Sequence, residues 1–172
     1  YLSNYFSALV SANDNKNDDA IKFFYSSRFI IKKNDKFLRK YVFSLILGGQ
    51  VKRAINLIKY SNNPNFFEAN LLLTLNSITH KKFKQAEIRL KKLSTYQEAG
   101  TYEFVIIKTL ESYNNLFLNK KTTKKNKNLG KIELITRAFQ NCYLSSNKTS
   151  SHFTSLINSQ EGDYSRYLFF YL

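Results

Sequence analysis

Three stretches of the chain read alike: Asn17-Asp18-Asp19-Ala20-Ile21-Lys22-Phe23-Phe24, Val51-Lys52-Arg53-Ala54-Ile55-Asn56-Leu57-Ile58 and Phe83-Lys84-Gln85-Ala86-Glu87-Ile88-Arg89-Leu90. In each, an alanine stands three residues after the start and a bulky apolar residue four later. Ala20, Ala54 and Ala86 thus recur at nearly equal intervals. A recurrence of that length is the mark of stacked supersecondary units. Apolar residues recur at helical intervals: Ala20, Phe23, Phe24, Ile30 and Ile31, then Ala54, Ile55, Leu57 and Ile58, then Ala86, Leu90 and Leu93. This periodicity predicts amphipathic helices. Asp14, Asp18 and Asp19 form the closest carboxylate cluster and read as helix-capping groups at the first of these starts.

A second helical stretch precedes each of the three: Leu2 to Ala12, Phe37 to Leu47 and Phe66 to Thr79. The connections are short, polar or glycine-bearing: Asn13-Asp14-Asn15-Lys16, Gly48-Gly49-Gln50 and His80-Lys81-Lys82. Connections of that length make the two helices of a pair antiparallel neighbours. Gly48-Gly49 reads as a helix end. The only proline, Pro64, is expected where a helix starts, since its fixed φ suits a first turn. The unit is helix, turn, helix, turn in about 34 residues.

This pattern resembles the tetratricopeptide repeat. Ala8, Ala20 and Ser27 match the family's small positions in the first repeat, Ala54 and Ser61 in the second with Gly49 at the inter-helix turn, and Ala86 in the third with Phe83 in the usual aromatic place. Small side chains let one helix press on its partner, while Phe24, Ile58 and Leu90 fill the space beside them. The sequence departs from the family in lacking its tryptophan, in Ser11 and Ser77 for tyrosine, in Val42 and Thr74 for glycine, and in Leu93 for a small residue. The resemblance is specific over residues 1–95 and implies an all-α, right-handed α-solenoid. In style it is similar to bacterial proteins of this family that are exported or envelope-associated; an AT-rich eukaryotic parasite or an organelle would write a similar composition.

Beyond residue 95, Tyr102 to Leu118 and Ile132 to Leu144 read as helices, separated by a lysine-rich insertion at 119–131 expected to be extended and mobile. Ser151 to Ser159 and Ser165 to Leu172 read as a last pair around Gly162-Asp163-Tyr164. The expected organisation is a single domain over 1–172 of about five antiparallel helix pairs, with repeats at 1–34, 35–65, 66–98, 99–148 and 149–172. Its last helix is still strongly apolar, which predicts that a further segment, another chain or a second copy covers it, through Tyr167, Phe170 and Tyr171. The chain is expected to be a fragment of a longer array.

Composition supports a folded helical protein. The chain is 43% hydrophobic and 16% aromatic with one proline, enough apolar matter for a core and few helix breakers. A single cysteine, Cys142, forms no internal disulfide and is expected in the core. No apolar run approaches the ~18 residues of a membrane span, so the chain is expected to be soluble, in cytoplasm or periplasm. The net charge is +15, but lysine outnumbers arginine 21 to 6 amid many asparagines, a bias that weakens any argument from charge alone.

Chemistry is sparse. His80, His152 and Cys142 show no metal-ligand spacing, and neither a dinucleotide-binding nor a phosphate-loop glycine pattern occurs. No G-x-S-x-G elbow occurs either. The expectation is a non-catalytic protein with no cofactor and no metal, acting as a protein-interaction or scaffold module. By resemblance to the family, first helices line a concave groove, and its positions map onto Tyr5, Leu9 and Ala12, then Arg39, Phe43 and Ile46, then Leu71, Leu75 and Ile78. So drawn, the groove is apolar with one arginine and suits an apolar helix or an extended peptide; the alternative is that several of these residues are inter-repeat core. Two other readings remain. Lys120, Lys121, Lys124, Lys125, Lys127 and Lys131 would hold nucleic acid or an anionic surface, or else form a solvated insertion. The apolar end would mediate self-association.

Overall fold

The computed structural model of the chain describes residues 2–29, 34–61, 64–96, 98, 101–123, 129–159 and 167. Among the described residues it is all-helical. Nine α-helices follow one another: α1 (Leu2–Asn13), α2 (Asn17–Ser26), α3 (Asp35–Leu47), α4 (Val51–Tyr60), α5 (Phe67–Thr79), α6 (Phe83–Leu93), α7 (Tyr102–Asn119), α8 (Lys131–Tyr143) and α9 (Thr149–Ile157), with a 3-10 turn at Ser94–Tyr96. The chain forms two compact units, 1–80 and 81–172. Their boundary falls in the connection expected inside the third helix pair, so α5 belongs to the first unit and α6 to the second.

Local chemistry explains the helix ends. Asn34 caps α3 by accepting from the Phe37 N–H at 3.1 Å, and Thr101 caps α7 by accepting from the Phe104 N–H at 3.3 Å. At the start of α2 the cap position belongs to Lys16, whose side chain makes no capping bond. Asp18 and Asp19 sit inside the first turn instead, favourable to the helix dipole, and Asp19 pairs with Lys22; the expected capping role is therefore corrected. α2 stops at Ser26, and Ile30 and Ile31 lie outside the described residues. α3 ends at Gly48, and Gly49 takes the left-handed conformation at φ +72° that reverses the chain into α4. Pro64 does not open α5. It is buried three residues before the helix, and its carbonyl accepts from the Asn70 side chain at 3.4 Å.

In the first unit α1 packs on α2, α2 on α3, α3 on α4 and α4 on α5. Ala8, Ala20, Ala54 and Ala69 are fully buried at these contacts, where a longer side chain would push the helices apart. Around them Phe24, Phe37, Leu38, Tyr41, Leu45 and Ile58 form one core. In the second unit α6 packs on α7, α7 on α8 and α8 on α9. Its interior is markedly polar. Gln140 donates to the Ser112 hydroxyl at 2.8 Å, and the Ser112 and Thr123 hydroxyls are 2.9 Å apart. Arg137 spans from Glu133 Oε1 at 2.7 Å to the Thr123 carbonyl at 3.2 Å. Phe153 and Leu156 of α9 close a small apolar cluster on α8.

Cys142 is exposed, against expectation, because α8 turns Ala138 and Asn141 inward and leaves the thiol on its outer side. The described ends of the lysine-rich insertion are anchored. Thr123 joins the polar network just described, and Leu129 is 5% exposed. The expectation of an extended, freely solvated insertion is corrected at those two points.

Candidate functional site

The first unit carries two clefts along its odd-numbered helices. One, of about 710 Å³, is bordered by Leu9, Ala12 and Asn13 of α1, by Asn17, and by Lys40, Phe43 and Leu47 of α3. The other, of about 420 Å³, is bordered by Lys36, Arg39, Lys40 and Phe43 of α3 and Glu68 of α5. Lys40 and Phe43 border both, so the two are continuous along α3. Residues 36, 40, 43 and 47 fall on one stripe of a helix with about 3.6 residues per turn, which is why a single face of α3 supplies the floor.

Of the groove residues mapped by resemblance, Leu9, Ala12, Arg39 and Phe43 come together here. Tyr5 is instead committed to packing, its ring 5.2 Å from Phe37 and 6.4 Å from Phe24. Ile46 also leans on the core. Leu71, Leu75 and Ile78 line neither cleft. The expectation of an apolar groove with one arginine is corrected, because Lys36 and Lys40 also face it. Carrying the Phe43 stripe back by one and two turns along α3 would have found both lysines in the sequence.

The charge in the groove is lopsided. Arg39 donates through Nε to Glu68 Oε1 at 3.1 Å and through Nη2 to the same oxygen, while the other Glu68 oxygen is buried without a donor. Lys36 and Lys40 have no carboxylate of the described residues within ion-pair distance. Phe43 is 55% exposed at the C-terminal end of this basic stripe. The combination offers one flat apolar anchor, Phe43, with the cations Lys36, Arg39 and Lys40 on the N-terminal side of it along α3.

The other expected sites are placed as follows. Lys120 is the left-handed residue that ends α7, and its ammonium donates to the Tyr143 hydroxyl at 2.7 Å and lies 4.8 Å from that ring's centre, so it is already engaged. Lys121 is exposed, and Lys131 opens α8. Lys124, Lys125 and Lys127 lie outside the described residues, as do Phe170 and Tyr171. Tyr167 is half-buried against Phe139, with ring centres 5.9 Å apart, so its ring serves the second unit's own core. His80 ends α5, its Nδ1 2.7 Å from the Asn76 carbonyl. Among the described residues no group of three His, Cys, Asp or Glu side chains is arranged to hold a metal, and no helix is long and apolar enough to cross a membrane.

Among the described residues the fold and site thus define an all-α protein whose first unit carries a basic groove with Phe43 exposed in it. No protein-family model, no curated protein and no solved structure matches the chain.

Proposed function

We propose that the chain is a non-catalytic interaction module of tetratricopeptide-like repeats, stacked as a right-handed α-solenoid, that binds a peptide or protein segment in the groove along α1, α3 and α5. One observation carries this reading. Phe43 stands exposed where two clefts join, with Lys36, Arg39 and Lys40 beside it and Glu68 as the one acid among the described residues of the site. An apolar ligand side chain against Phe43 and Leu9 would bury area worth about 25 cal/mol per Å². Acidic groups on the same ligand would meet Lys36 and Lys40 at the rim, setting orientation and association rate more than affinity. The repeat spacing and the buried alanines support the solenoid.

The test is selection of peptides from a displayed random library, followed by fluorescence anisotropy on the recovered sequences. Peptides combining an apolar residue with carboxylates are expected, with binding at least tenfold weaker to Phe43→Ala and to the Lys36→Gln/Lys40→Gln pair. Peptides that bind these variants as tightly as the parent chain would remove the groove from consideration.

A further inference from the structure

A further concavity, of about 250 Å³, opens between α2, α3 and α4, bordered by Tyr25, Arg28, Tyr41, Arg53, Asn56 and Tyr60. It is separate from the groove. Successive residues of α3 are about 100° apart around the helix, so Tyr41 points about 100–160° away from Lys40, Phe43 and Leu47.

Three aromatic rings stand in solvent at or beside this cleft: Tyr25 is 51% exposed, Phe29 63% and Tyr60 86%. The Arg28 guanidinium carbon sits 4.3 Å above the centre of the Tyr25 ring and 5.2 Å from that of Phe29. Arg28 donates to the Tyr25 carbonyl at 3.1 Å, and Arg53 donates to the Gln50 side chain. Among the described residues no carboxylate borders the cleft and none pairs with either arginine. α4 adds Lys52 and Lys59 and contains no acid at all.

A ligand for this surface must present flat rings and negative charge together. Exposed tyrosine faces and guanidinium planes stack with any base, and cations without counter-ions meet phosphates. Asn56, exposed on α4, supplies a hydrogen-bonding edge between them. The cleft is smaller than the roughly 300–1,000 Å³ that encloses a free small molecule, so it seats one flat group of a longer chain. A duplex keeps its bases stacked inside and has none to offer. A run of acidic residues such as polyglutamate supplies charge without rings. An anionic membrane would want rings on a protrusion, whereas these border a hollow. The lysine-rich segment 120–131 has cations and no ring, so stacking distinguishes the two basic regions.

We propose that the Tyr25–Arg28–Arg53–Tyr60 cleft binds single-stranded nucleic acid, with a base stacked on an exposed tyrosine and the flanking phosphates on the two arginines. The experiment is anisotropy of a short fluorescein-labelled oligouridylate with the full chain over a series of salt concentrations. Tyr60→Ala is expected to weaken binding about tenfold, while Tyr60→Phe stays within about twofold because the ring face is kept. Arg53→Gln should reduce the salt slope by about one. Phe43→Ala should leave the oligonucleotide affinity unchanged. A thermal melt of each variant checks folding, which an 86% exposed ring does not control. The proposal is overturned by absence of oligouridylate binding, by binding indifferent to Tyr25→Ala and Tyr60→Ala, or by loss on Phe43→Ala. It is also overturned if polyglutamate, or vesicles of phosphatidylserine mixed with phosphatidylcholine, bind with the same dependence on the tyrosines.

Discussion

Phe24 of α2 and Phe37 of α3 meet edge to face, their ring centres 5.3 Å apart and their planes at 89°. This contact joins the first helix pair to the second. Tyr41 stacks on the same Phe24 ring at 5.4 Å, so one side chain from the second helix of a pair is clasped by two from the first helix of the next. Both phenylalanines are fully buried.

Removing that ring should therefore unlock the first unit. Phe24→Ala is expected to destabilise it by about 3–5 kcal/mol, through lost transfer energy and an unfilled cavity. Phe43→Ala, half exposed in the groove, should stay within about 0.5 kcal/mol. Urea unfolding of both variants checks the contrast; equal losses would mean that Phe24 is not the junction it is taken to be.

The α3–α4 turn separates two reasons for glycine. A Cβ on Gly48 would lie 2.8 Å from Ile21 Cδ1 and 3.3 Å from the Ser44 carbonyl, in a site where Ile21 is itself buried. Gly49 has open space around it but φ of +72°. Gly48→Ala should cost about 1 kcal/mol or more by overpacking. Gly49→Asn should be nearly neutral and Gly49→Val should cost about 1–2 kcal/mol, because asparagine tolerates the left-handed region and a β-branched residue does not. Thermal denaturation of the three variants tells the steric from the conformational cause.

In the second unit Glu133 is 5% exposed and accepts from Arg137, which also holds the Thr123 carbonyl. Glu133→Ala leaves a mostly buried guanidinium uncompensated and should cost about 3 kcal/mol. The double variant Glu133→Leu/Arg137→Met should cost less than the sum of the single changes by at least about 1 kcal/mol. Amide exchange at residues 121–123 should quicken in Arg137→Met, since the start of the insertion loses its tether. Simple additivity in a double-mutant cycle would contradict the coupling.

High pH provides another readout. Burial raises the Tyr41 pKa above the ordinary 10.0, with Arg53 and Arg28 opposing it, and burial raises Tyr113 in the same direction against a hydrogen bond from Thr136. Above about pH 10 the unfolded chain loses these phenolic protons while the folded chain keeps them. The folded state then binds more protons, and stability falls as pH rises. The urea midpoint should drop between about pH 9 and about pH 11. Tyr41→Phe/Tyr113→Phe should show a shallower drop, the lysines titrating alike in both chains.

Much of the helical framework was legible beforehand because helix formation and helix pairing are local. Ala20, Ala54 and Ala86 marked the close approaches, and all three are fully buried. The Gly48-Gly49 stop and the polar connections placed most boundaries within a residue or two, but α2 stops at Ser26, short of the Ile30 and Ile31 included in the expected helix. The errors came where a residue type has two local uses. Pro64 starts helices and also precedes them, and Cys142 follows Asn141 on α8, so a shift of one position moved it from interior to surface.

The candidate sites were legible only in part. Arg39 and Phe43 border the clefts together with Lys36 and Lys40 because all four fall on one face of α3. Tyr5 could equally have lined the groove or filled the core. The choice depended on Phe37, in the next repeat along the chain, whose ring it meets.

The sequence by itself determined the helical character of the described residues, because alternation of apolar and polar side chains every three to four positions acts through neighbouring turns alone. Tertiary structure decided which exposed side chains stand together. Tyr25 and Arg28 come from α2 and the turn after it, Arg53 and Tyr60 from α4, and no local period relates the two sets. Gln140 reaches Ser112 across 28 positions for the same reason. Such sets arise only when helices pack, since a side chain's partners across a packed interface depend on helix rotation and approach, which small residues permit but do not specify.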